Sequence, residues 1–358
     1  MGSVNQFFTK PVSDIQIKED AYLYSDDPVV TLEGKTFLRS GVLVTPATYP
    51  LVTDIIANGT TWTQITLPVS ASWQSVCYGN GVFVAIAFTS SIAVTSPDGI
   101  TWTTRTLPIS TDWRSICYGN GVFVAVAAGP STIAATSPDG ITWTQRALPI
   151  SASWYSVCYG NGVFVAAVVG SSTIAATSPD GITWTQRALP VSTTWSSVCY
   201  GNGIFVAVTT GGSTIAATSP DGVTWTQRTL PVVSWWSSVC YGNGIFVAVT
   251  AGSTKAATSP DGITWTQRTL PVSANWLSVC YGNGIFVAVT AGGSTIAATS
   301  PDGVTWTQRT LPVSASWYSV CYGNGVFVAV ASNSSISATS FDYVGSSTYV
   351  PNLYFRVA

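Results

Sequence analysis

No histidine occurs in the 358 residues, and only 8% of them are charged. Without imidazole, Ser–His nucleophile pairs and most zinc sites lack their base or ligand. A formal net charge of −2 leaves no basic stripe of the kind nucleic acid selects. Hydrophobic residues make up 46% of the chain. No stretch, however, reaches the roughly 18 unbroken apolar residues of a membrane helix, so no membrane insertion is expected. The opening "MGSVNQFFTKPVSDIQ" has no basic region followed by an apolar core, so no secretory signal is expected. Gln6 stands where N-myristoylation wants Ser or Thr. A disulfide framework is also missing. Seven cysteines is an odd number, and Cys77, Cys117, Cys158, Cys199, Cys240, Cys280 and Cys321 are spaced by 40 or 41 residues. They read as small buried hydrophobes, made in a reducing compartment. Equivalent strands of separate repeats should hold them too far apart to share a metal ion, so neither metal nor cofactor is expected.

What the chain has is a repeat of about 41 residues, and that periodicity decides the fold. The unit at 154–190 reads "WYSVCYGNGVFVAAVVGSSTIAATSPDGITWTQRALP". It contains four short β-type runs. "SVCYG" and "VFVAA" are joined by Gly-Asn-Gly, and "STIAATS" and "ITWTQRAL" by Pro-Asp-Gly, both hairpin signals. Four strands per repeat predict an all-β chain of four-stranded antiparallel β-propeller blades. A solenoid is the alternative architecture, but it would normally carry distinct polar caps.

The tryptophans give the count. An inner-strand Trp, with Cys four residues later, occurs at Trp73, Trp113, Trp154, Trp195, Trp236, Trp276 and Trp317. An outer-strand "TW" occurs at Trp62, Trp102, Trp143, Trp184, Trp225, Trp265 and Trp306. With Trp235 these are all 15 tryptophans. The array enters on an outer strand at 60–68 and leaves on a third strand at 334–342. Joining the two gives seven blades and leaves no open edge. The expected organisation is therefore an N-terminal attachment segment (1–57), a seven-bladed propeller (58–342) and a C-terminal tail (343–358) that packs with the N-terminal segment. Residues 1–57 carry 11 of the 28 charged residues and no Cys or Trp.

"SPDGITW" resembles the Asp-box of sialidase-like propellers, Ser-x-Asp-x-Gly-x-Thr-Trp, with one residue fewer between Asp and Gly. The resemblance covers Asp98, Asp139, Asp180, Asp221, Asp261 and Asp302. In that family the box is a structural hairpin away from the active site, so the resemblance implies turn residues and not catalytic acids. Glycosidases need paired carboxylates, or a Tyr nucleophile with an acid. Beyond the six turn aspartates, 60–342 offers only Asp112 and Asp342, with no Glu. The repeat arginines (Arg105, Arg146, Arg187, Arg228, Arg268, Arg309) recur at one outer-strand position, which a ring spreads apart. No catalytic residue and no enzymatic activity are expected.

The copies differ where function would show. The "YGNG" and "SPDG" turns barely change and should share one face of the blades. Variation gathers in the other two loops, on the opposite face, above all around the inner Trp. Before it stand Ser72, Asp112, Ser153, Thr194, Trp235, Asn275 and Ser316. After it stand Gln74, Arg114, Tyr155, Ser196, Ser237, Leu277 and Tyr318. Exposed aromatic and hydrogen-bonding groups suit a glycan or protein surface, although unconstrained loops also drift. The candidate ligand contacts are Asp112, Trp113, Arg114, Tyr155, Trp235, Trp236, Leu277 and Tyr318. The inner Trp themselves are either inter-blade packing or a binding ring. Lys255, where most third strands have Ile, is either a solvent-facing change or a specificity feature.

"GKTFLRSGVLVTPATYPLV" (34–52) and "STYVPNLYFRVA" (347–358) resemble segments of tailed-phage tail-fibre and collar-type proteins, and the repeats resemble those of phage tail proteins. The resemblance implies a virion tail component assembled in the host cytoplasm. It would meet other tail proteins through 1–57 and 343–358, display the propeller to a host glycan or protein, and could form a homo-oligomer in the assembly. The alternatives are a cellular lectin-like or adhesion propeller and a sialidase-like glycosidase.

Overall fold

A computed structural model describes residues 59–340 and the backbone of two short strands, Val29–Leu32 and Lys35–Leu38. The chain divides into two compact units, Met1–Ile55 with Tyr343–Ala358, and Ile56–Asp342. In the first, the two short strands pair antiparallel, Val29 opposite Leu38. The rest of the expected attachment segment and the tail lie outside the described residues, as do the contacts expected of them.

The second unit is all β, and among the described residues no helix is long and apolar enough to cross a membrane. Its blades are four-stranded and antiparallel, as the four runs per repeat predict. One consists of Trp154–Gly160, Val163–Val168, Ser172–Ser178 and Thr185–Thr193, paired in chain order. Two more sheets repeat this pattern, from Trp113–Gly119 to Thr144–Ala152 and from Trp195–Gly201 to Thr226–Ser234. The remaining strands form one thirteen-stranded sheet. In it, Trp62–Gly79, Thr266–Gly282 and Thr307–Gly323 are two to three times as long as the other strands. Thr266–Gly282 pairs through its start with Ser253–Ser259 and through its end with Ile285–Ala291. The first strand of the array pairs with its last, Thr63 opposite Thr339 and Ser340 opposite Trp62.

The sequence explains the local geometry. Every Gly-Asn-Gly turn is a two-residue loop with both central residues at positive φ, 47° at Asn80 and 77° at Gly81. This is the twist that suits right-handed strands, and Asn-Gly is the pair that adopts it most readily. The glycine before the turn serves another purpose. A Cβ on Gly160 would lie 2.0 Å from the Tyr200 ring of the next repeat, and the same contact joins Gly323 to Tyr78. Each inner Trp is fully buried between repeats. Trp154, for example, belongs to a buried cluster that joins Val124, Val126 and Ala134 of the preceding repeat to Phe164 and Trp184 of its own. Burying one such indole removes on the order of 200 Å² from water, worth roughly 5 kcal/mol at about 25 cal/mol per Å².

Candidate functional site

The inner strand carries a β-bulge in every repeat. Trp154 lies opposite Val168 and Ser156 opposite Ala167, which leaves residue 155 out of the ladder. The same shift falls between Trp73 and Ser75, Trp113 and Ser115, Trp195 and Ser197, Trp236 and Ser238, Trp276 and Ser278, and Trp317 and Ser319. A bulge re-aims the extra side chain. The released residue is the variable one that follows the Trp.

The serine after the bulge fastens one inner strand to the next. Its hydroxyl accepts the backbone N–H of the following repeat's Val or Ile, as Ser115 does from Val157 at 3.1 Å. Equivalent bonds, 3.0 to 3.3 Å long, run Ser75 to Ile116, Ser156 to Val198, Ser197 to Val239, Ser238 to Val279, Ser278 to Val320 and Ser319 to Val76. These bonds satisfy a donor on the inner edge of each blade, where no further strand pairs.

At the bulge position the side chains divide by size. Ser196 and Ser237 fold back and donate to the Trp236 and Trp276 carbonyls of the next repeat. Arg114 instead spans to its neighbours and donates to the Gln74 Oε1 of the preceding repeat and the Tyr155 hydroxyl of the following one. Its guanidinium carbon lies 4.1 Å from the Tyr155 ring centroid and 5.9 Å from that of Tyr318. Four repeats thus meet at one cation. Gln74, absent from the candidate contacts named above, belongs to this group, and its shared bulge position is the sequence signal for it.

Of the candidates, the structure brings Arg114, Tyr155 and Tyr318 together. Leu277 is half-buried and makes no described contact with them. Asp112 stands apart and accepts a hydrogen bond from the Thr89 hydroxyl at 2.9 Å. Trp235 is 60% exposed, beside Gly212. Trp113 and Trp236 are corrected. Both are fully buried, and their indole N–H groups donate to the Ile109 and Ser213 carbonyls at 3.1 Å, so neither offers a ligand a face. The same burial holds for the other inner tryptophans, which settles the choice between a binding ring and packing in favour of packing. Lys255 donates to the Val233 carbonyl at 3.0 Å, which ties this strand change to the loop carrying Trp235.

The opposite face is made of repeated turns. In the turn at 178–184, Asp180 accepts the N–H groups of Ile182 and Thr183 at 2.8 and 2.9 Å and the Ser178 hydroxyl at 3.0 Å. Ser178 accepts the Gly181 N–H, and the Trp184 indole donates to the Gly181 carbonyl. One carboxylate oxygen, Oδ1, takes all three of these bonds within its own turn. The backbone bond from the Thr three residues on is the main cause that lowers the pKa of Asp139, Asp180, Asp221, Asp261 and Asp302. Asp98 makes the same bonds. Asn120 of one "YGNG" turn donates to the Pro179 carbonyl of the next repeat's "SPDG" turn, and five other repeats do likewise, so the two turn types share this face. A recess of about 310 Å³ between two repeats is lined in part by Asn202, Arg228 and Asp261, each of which already holds a hydrogen bond to a neighbouring residue.

The six outer-strand arginines each donate through Nε to a threonine hydroxyl across the same blade, at 2.9 Å, and do not converge. The cysteines are free and partly buried, and burial pushes every thiol pKa up. Among the described residues no three His, Cys, Asp or Glu side chains are arranged to hold a metal ion.

Comparison with known proteins places this geometry in a class. A family model described as the DUF6242 beta propeller domain matches residues 191–325. Virginiamycin B lyase from Staphylococcus aureus is similar in structure at a TM-score of 0.70 and 11% identity, over 78% of this chain and 98% of that one. YCF48 from Cyanidioschyzon merolae is similar at 0.60 and 14%, over 78% and 98%. A structure of YCF48 bound to D1 peptide is similar at 0.62 and 18%, over 78% and 94%. No curated protein matches the sequence. The chain carries a β-propeller domain. At these identities the similar structures share its fold, and among themselves they differ in function.

Proposed function

We propose that the chain is a seven-bladed, non-enzymatic binding propeller of a phage tail, which contacts the host surface through its variable face. The blade count is supported by the three long strands of the thirteen-stranded sheet. Each serves as the outer strand of one blade and the inner strand of the next, which divides that sheet into four blades beside the three separate ones. The Ser-to-backbone bonds also return to their start through Ser319 and Val76.

One observation carries the binding reading. The side chains that differ between repeats gather on one face and at one end of the channel, whereas the other face is built from repeated turns that use their own polar groups. Exposed Trp235 and the Gln74–Arg114–Tyr155–Tyr318 group are the kind of aromatic and arginine anchors that dominate interfaces. The absence of activity is supported by the acids. Among the described residues six of the seven carboxylates sit in "SPDG" turns, and the seventh, Asp112, stands alone. The phage assignment rests on the resemblance of 34–52, 347–358 and the repeats. On that reading, 1–57 and 343–358 would meet other virion proteins.

The test is binding of the labelled protein to host cells and to a glycan array, before and after Trp235→Ala and Tyr318→Ala. Loss of binding in either variant is expected, and unchanged binding in both would move the site elsewhere. Mass spectrometry of purified phage particles should find the chain. Retained cell binding without it in particles would point to a cellular adhesion propeller.

A further inference from the structure

We propose that the channel end around Arg114 binds the carboxylate of an acidic sugar. This rests on the variable face being the binding face, and adds the chemistry of its ligand. Arg114 contacts residues of the repeats on either side of it and of one two repeats away, which puts its guanidinium over the end of the channel. The group is partly buried, and among the described residues no carboxylate pairs with it. Asp112 is turned to Thr89, and the other acids lie in the turns of the opposite face. A partly desolvated cation without a counter-charge is unfavourable by itself, and a planar oxyanion is the partner its fork fits best. The guanidinium has five N–H donors. Gln74 and Tyr155 take two of them, which leaves three for a ligand.

The surroundings favour a sugar with one carboxylate. Tyr155 and Tyr318, both partly exposed, put aromatic surface beside the charge. The variable face has one other described cation, Lys255, held by the Val233 carbonyl. A polyanion such as an acidic peptide would find a single anchoring charge.

The full chain is titrated by calorimetry with a uronate tetrasaccharide and its carboxyl-reduced form, and with sialyllactose and lactose. At least one acid form is expected to bind. Its neutral counterpart should bind about 10- to 100-fold more weakly, the worth of a charged hydrogen-bonded contact. Added salt should lower the affinity for the acid form. Arg114→Gln should erase the difference between acid and neutral forms, and Arg114→Lys, which keeps the charge without the fork, should retain part of it. The wild-type comparison needs no variant to fold. Equal affinity for acid and neutral sugars overturns the inference. If that shared binding is lost in Trp235→Ala, the binding face stands and only the carboxylate falls. Binding of neither acid sugar, or Arg114-dependent binding of an acidic peptide in place of sugar, also overturns it.

Discussion

Ser337 occupies a place that alanine holds in every other repeat, at Ala93, Ala134, Ala175, Ala216, Ala256 and Ala297. All are fully buried, and the Ser337 hydroxyl has no hydrogen-bond partner there. A buried hydroxyl without a partner costs about 1–3 kcal/mol. Ser337→Ala should therefore stabilise the protein by about 1 kcal/mol, read as a higher midpoint in chemical denaturation. An unchanged or lower midpoint would show that the hydroxyl is satisfied. The bulge residues show how far single positions were legible. Their variability marked them, because seven copies in one chain can be compared with each other. Their convergence was not legible, because it depends on a register shift against the neighbouring strand. Trp113 and Trp236 adjoin variable positions in the sequence, but nearness to them does not reveal which way a side chain points.

Each "SPDG" hairpin is a closed hydrogen-bonding unit, and its stability depends on an ionised aspartate. Five of these aspartates have a pKa lowered in the folded state, chiefly by a backbone N–H bond. The folded protein thus binds these protons less tightly than the unfolded chain. The stabilisation is complete above the unfolded value of about 4 and is lost as pH falls through the lowered folded values. Thermal midpoints should hold steady at neutral pH and decline below about pH 4. Combining Asp139→Asn, Asp180→Asn, Asp221→Asn, Asp261→Asn and Asp302→Asn should flatten that decline. An unaltered acid profile would mean the carboxylates titrate alike in both states. The turn itself was readable from Pro-Asp-Gly, and the Asn-Gly hairpin from its demand for positive φ. The bond from each Asn to the next repeat's Pro carbonyl was not, because it spans almost 60 residues of sequence.

The first strand of the array pairs with its last, and the sequence makes this pairing legible. The outer-strand and inner-strand tryptophans are out of phase in the sequence, and only closure reconciles them. Trp62 accordingly lies in the core of the C-terminal repeat, with Trp317, Phe327 and Ala338. If closure is integral, Trp62→Ala should cost as much as Trp102→Ala inside the array, about 3–5 kcal/mol by chemical denaturation. A much milder effect would make the N-terminal strand an accessory. The links between neighbours have a consequence of another kind. Serine to backbone N–H, tyrosine over glycine and asparagine to proline use the same residue types from one repeat to the next. Any copy can therefore follow any other without a new interface having to be invented. A recombination event that exchanges one repeat for another preserves these three seams and changes the variable positions. The gene can reshuffle the variable positions while inheriting, unchanged, these links between repeats.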